Sequence, residues 1–177
     1  MLLLNNMQKT ITVSKVDLLH LEITLPALAF TIPFIISGPQ WLTGTVVNCF
    51  LFLFVTRLPK KNTIPIVILP SLGALFHGVV FGPFTPFLTY FLPFIWMGNY
   101  LLISVFSLMK NQNYFIRVVT SSIFKFCLLV SSAYLFYGLK IVPKIFITSI
   151  GLIQLITALT GGILSYIIFQ LMNKKYG

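Results

Sequence analysis

Long apolar runs, broken by short clusters of charge, proline and glycine, occupy nearly the whole chain. The first extends from about Leu21 to Ser37, and Gly38-Pro39 turns the chain into a second over Gln40 to Val55, which closes at Arg57-Leu58-Pro59-Lys60-Lys61-Asn62. A third covers Ile64 to Phe81 and ends at Gly82-Pro83; Phe84 to Thr89 is a proline- and aromatic-rich connector, and a fourth run covers Tyr90 to Met109. The polar turn Lys110 to Arg117 precedes a fifth run, Val118 to Tyr137, and Gly138 to Lys144 leads into the last, Ile145 to Met172, before Asn173-Lys174-Lys175. A bilayer admits only helices or closed barrels, and none of these runs alternates as barrel strands do. The pattern therefore predicts an all-α integral membrane protein. Its expected form is one bundle of six transmembrane helices over 21–177, preceded by a cytoplasmic or interfacial segment at 1–20. Prolines 26, 33, 65, 70 and 93, inside or near the ends of the spans, predict kinks.

Charge gives this bundle a direction. With both termini in the cytoplasm, Lys9, Lys15, Arg57, Lys60, Lys61, Lys110, Arg117, Lys174 and Lys175 fall on the inner side, and only Lys140 and Lys144 on the outer. That is the bias of the positive-inside rule. Met1 to Asn6 has neither a leading positive region nor a long apolar stretch, so no secretory signal is expected. Composition agrees with the bilayer as the main partner: of 177 residues 58% are apolar and 8% charged, which leaves no room for a sizeable soluble domain. The formal charge of +10 lies in the loops, so no nucleic-acid surface is expected.

Candidate chemistry is sparse. There is no Walker A loop, GxGxxG or HExxH, and Cys49 and Cys127 stand alone in separate runs, so neither a zinc nor an iron–sulfur pattern can be built. No catalytic residue, metal site or cofactor is expected. Asp17 and Glu22, the two carboxylates, lie five residues apart, about 140° around an ideal helix, and do not readily converge on one ion. Lys125 is the main anomaly, a cation inside the fifth run. Three readings are open: it snorkels to the headgroups, it forms an intramembrane ion pair with Glu22, or it meets an anionic ligand. A second signal is the polar and aromatic set Gln40, Trp41, His77, Tyr90, Trp96, Asn99, Gln154 and Thr157 in the expected outer half. Amides in lipid must find hydrogen bonds and so point inward, and these residues sit near the two connectors richest in proline and aromatics. They are the candidate substrate-binding residues; interhelical packing and interface anchoring are the competing roles. Ala74 with Gly78, Ala158 with Gly162, and Gly161 with Ser165 stand four apart, the spacing of close helix approach.

The block from Gly38 to Phe106 resembles the substrate-binding S components of bacterial energy-coupling-factor transporters. The residues that carry this are Gly38, Gly44 and Asn48, then Pro70-Ser71-Leu72-Gly73-Ala74, then Pro93 to Asn99 with Trp96 and Gly98. The block is also similar to small bacterial membrane proteins loosely labelled "iron hydrogenase", although two isolated cysteines cannot hold that enzyme's clusters. On one point the chain departs from the S components, whose first helix carries alanines four apart: Ala27 and Ala29 are two apart. The resemblance implies a multi-pass protein of the bacterial cell membrane that captures a vitamin or metal-related micronutrient from outside. It also implies a transmembrane coupling subunit and ATPases as partners, as a chain without a nucleotide-binding motif requires. The alternatives are a structural or assembly membrane protein without ligand and, third, an intramembrane enzyme.

Overall fold

The structure, a computed structural model, describes residues 15–36, 38–57, 63–77 and 82–176. The described residues are 90% helical, with no strand among them. Six α-helices follow in order: α1 (Lys15–Ile35), α2 (Gln40–Arg57), α3 (Thr63–His77), α4 (Leu88–Leu108), α5 (Tyr114–Gly138) and α6 (Ile153–Tyr176). A 3₁₀ turn, Gly82–Phe87, leads into α4, and a π-helical turn, Ile147–Leu152, leads into α6. Three segments are long and apolar enough to cross a membrane: Phe84–Leu108, Tyr114–Gly138 and Ile147–Met172. The apolar stretches of the other helices, Pro26–Ile35, Gln40–Thr56 and Thr63–His77, are shorter. Length alone thus singles out three of the six expected spans.

Element boundaries differ from the sequence pattern where a local group overrides hydropathy. The first helix is already formed at Lys15, inside the segment 1–20 that hydropathy sets apart, because a polar helical turn needs no apolar residues to close its hydrogen bonds. Residues 110–117 do not form one polar turn. Asn113 caps α5 by accepting from the Phe115 N–H (3.0 Å), so that Arg117 lies within the helix. Its guanidinium sits 3.8 Å from the Phe106 ring centre and Nε donates to the Phe106 carbonyl (3.0 Å). At its far end α5 closes in a Schellman arrangement: Ile141 N–H reaches the Phe136 carbonyl, Lys140 N–H reaches that of Tyr137, and Lys140 has a φ of 59°.

Helices pack in pairs, α2 on α6, α1 on α3 and α4 on α5. Small residues make the first two contacts. A Cβ at Gly161 would lie 2.7 Å from the Thr45 carbonyl and 2.8 Å from Asn48 Cβ, and one at Gly73 would strike the Phe30 carbonyl. Gly161 and Gly162 thus act in packing within the bundle, whereas Gly78 lies outside the described residues. Outward faces carry Ile123, Phe124, Leu135, Ile163 and Ile167, each well exposed, a surface suited to hydrocarbon rather than water.

Two apolar clusters fill the interior. One, with Leu51, Phe52, Leu102, Phe106 and Val118, lies toward the end that carries Lys110 and Arg117. The other, with Leu88, Phe91, Leu129, Phe146 and Ile150, lies toward the end that carries the Gly82–Phe87 turn and Lys140. Between the two clusters α4 carries the buried Asn99 and α5 the buried Ser121, Ser122 and Lys125, and Asn48 on α2 meets Lys125 there. A polar layer therefore crosses the bundle at mid-height, Lys125 standing 11 residues, about 16 Å, from the start of α5.

Candidate binding site

Lys125 anchors the site. It is only 2% exposed, and its Nζ donates to Asn48 Oδ1 (2.7 Å) and Asn99 Oδ1 (2.8 Å), lengths typical of charge-assisted hydrogen bonds. Gly98 makes room for the stem, since a Cβ there would lie 3.3 Å from Lys125 Cγ. Both amides are held by their other ends. Asn99 Nδ2 donates to the Val67 carbonyl (3.0 Å) on α3, next to the Ile66 carbonyl that Pro70, lacking an N–H, leaves without its helical donor. Asn48 Nδ2 donates to the Gly44 carbonyl (2.9 Å) and to Thr157 Oγ1 (3.3 Å) on α6. Turning either amide over would set its oxygen against a carbonyl, so the two oxygens are committed to the lysine.

This arrangement replaces one of the three readings of Lys125: burial removes snorkelling. The partners found are amides. Glu22, the expected ion-pair partner, has a side chain outside the described residues, and no carboxylate bonds Lys125 among the described ones.

Above the layer lies a cavity of about 60 Å³. Its walls come from the first turns of α2 (Gln40, Thr43, Gly44, Val47), from the middle of α3 (Pro70, Ser71, Ala74), from the first half of α4 (Leu88, Ile95) and from Gln154 on α6. Asn48, Asn99 and Lys125 complete the lining. The cavity lies on the Gly82–Phe87 side of the layer, and the Leu51, Phe52 and Phe106 cluster packs on the opposite side. The volume would accommodate about four waters or a head group of similar size.

Of the eight residues singled out by sequence, Gln40, Asn99 and Gln154 line this cavity. Gln40 Nε2 also donates to the Ser149 carbonyl (2.7 Å) in the π turn, tying α2 to the last helix. Thr157 is buried one step behind, against Asn48. The other four are not brought together with them. Trp41 and Tyr90 are 59% and 52% exposed on the outer surface, where amphipathic rings anchor at a membrane interface. His77 is exposed, with Nδ1 2.6 Å from the Phe34 carbonyl, and binds α3 to α1. Trp96 reaches the site only indirectly, its Nε1–H donating to Ser71 Oγ (2.7 Å). Sequence reasoning did not assign Asn48, Thr43 or Ser71 to the site. Asn48 carried a usable signal, an amide in the middle of an apolar run. Ser71 bonds the Ile68 carbonyl within its own helix, as hydroxyls commonly do, and Thr43 bonds the Ile36 carbonyl across the Gly38-Pro39 turn; neither carried a signal.

Among the described residues, no three of His, Cys, Asp and Glu gather to hold a metal ion. Among the described residues the site's chemistry is that of recognition: one lysine, fixed amide oxygens, a Gln154 amide with no side-chain partner and hydrocarbon walls. Comparison with protein families, curated proteins and solved structures finds no match.

Proposed function

We propose that this chain is a membrane-embedded capture subunit of an ATP-driven micronutrient uptake transporter, of the kind the S components represent. Six helices cross the bacterial cell membrane with both termini in the cytoplasm, and the cavity receives its ligand from outside. The carrying observation is the position of the cavity: it has Lys125 at its floor, the apolar cluster of Leu51, Phe52 and Phe106 beyond it, and it lies in the half of the bundle poor in cations. A binding site closed on the cation-rich side and approached from the other suits capture from outside. Transport then depends on a separate coupling subunit and ATPases, since this sequence has no nucleotide-binding motif.

Thermal unfolding of the purified chain against a panel of vitamins and metal ions tests this reading. At least one member is expected to raise Tm, and liposomes containing the chain alone are expected to show no ATP-dependent accumulation of it. Accumulation by the chain alone would contradict the division of labour.

A second reading, a structural membrane protein without ligand, is favoured by one observation. Lys125 already bonds both Asn48 and Asn99 without any ligand. A Tm indifferent to the whole panel, with no small molecule retained through purification, would select it.

A further inference from the structure

We propose that the cavity takes the carboxylate of a small amphipathic molecule, an inference that rests on the capture reading and names its substrate class. The Lys125 ammonium has three N–H bonds, and two are spent on Asn48 and Asn99. Those amides face it with oxygens only, because their nitrogens are committed to backbone carbonyls and Thr157. The layer thus holds one lysine amine ringed by neutral acceptors and, among the described residues, bonded by no carboxylate. A monoanion in the cavity would accept the third N–H and supply the counter-charge that keeps a buried amine an ammonium.

A second donor stands in the same wall. Gln154 lines the cavity, and its side-chain amide makes no hydrogen bond among the described residues. A carboxylate brings two oxygens, one for Lys125 and one for Gln154. A dianion such as phosphate would exchange one uncompensated charge for another of opposite sign. The hydrocarbon of Val47, Leu88 and Ile95 suits the ligand's apolar body.

The test uses the full chain in lipid nanodiscs and chloride-free buffer, with short-chain alkyl carboxylates and their matching primary amides as probes. Binding is read by Tm and by tryptophan fluorescence, because Trp96 bonds Ser71 in the cavity wall. Carboxylates are expected to bind at least about tenfold more tightly than the amides. That preference should vanish in Lys125→Gln, and Gln154→Leu should weaken carboxylate binding several-fold while leaving the unliganded Tm unchanged. If Lys125→Gln fails to fold, Gln154→Leu carries the test, since it leaves the lysine layer intact. Equal binding of the amides, stabilisation by chloride alone as strong as by carboxylates, or retention of an uncharged small molecule with no carboxylate effect would each overturn this inference and leave the capture reading standing. A chain that neither retains nor is stabilised by any small molecule would overturn the capture reading and this inference with it.

Discussion

At the residue scale, the energetics centre on a buried lysine whose partners among the described residues are two amides. Removing an acceptor strands a buried donor, so Asn99→Leu is expected to destabilise the fold by about 1–3 kcal/mol. Lys125→Leu should also destabilise, because it leaves the Asn48 and Asn99 oxygens without a donor. The double change should cost less than the sum by about 0.5–3 kcal/mol, the mark of groups in direct contact. A double-mutant cycle read by unfolding in detergent measures this coupling. Additive costs, or coupling to Glu22→Gln in place of the amides, would contradict the network. Gly98→Val should disturb the same layer by pressing on the lysine stem. How much of this was legible depends on the residue. A cation within an apolar run marks itself, so Lys125 stood out. Its convergence with Asn48 and Asn99 did not, because the three come from three helices, and which positions share a height depends on tilt and mutual register that hydropathy does not record.

At the element scale, α2 and α6 are held close by glycine, and the site depends on that approach. Gly161→Leu would drive a side chain into the Thr45 carbonyl and Asn48 Cβ. The expected result is a loss of about 1–3 kcal/mol in stability, together with weakened ligand binding, since Asn48 is displaced. Parallel unfolding and binding assays on this variant check both effects, and unchanged binding would separate the site from the α2–α6 contact. Lys140 makes an opposite prediction. It occupies the left-handed position of the α5 cap, where glycine is usual, so Lys140→Gly is expected to raise stability by up to about 1 kcal/mol. A Tm that falls instead would mean that the lysine side chain contributes more than its backbone costs. The small-residue spacing of Gly161 with Ser165 was readable in the sequence, but the π turn at Ile147–Leu152 was not. Nothing in its residue pattern distinguishes it from the α-helix that follows, and the Gln40 bond to Ser149 comes from more than a hundred positions away.

At the scale of the whole molecule, an all-helical architecture was legible from solvent physics alone: long apolar runs in lipid leave the chain no other way to pair its backbone. The location of the site was only half legible. Gln40, Asn99 and Gln154 point inward because their amides need partners, whereas Trp41 and Tyr90 meet the same criterion of polar aromatics near the Pro-rich connectors yet face outward, as interface anchors do. The proposed six-span orientation predicts a labelling pattern in intact cells. In a background lacking Cys49 and Cys127, a single cysteine at the exposed Leu139 should react with an impermeant reagent and one at Asn111 should be shielded. The reverse pattern would invert the bundle and open the cavity to the cytoplasm. The central claim, that the space above Lys125 holds a captured molecule, is tested most directly by native mass spectrometry of the gently solubilised chain. The account predicts a stoichiometric small-molecule adduct on the native protein, lost or sharply reduced in Asn99→Leu and Gln154→Leu; a bare chain, or an adduct indifferent to both substitutions, would contradict it.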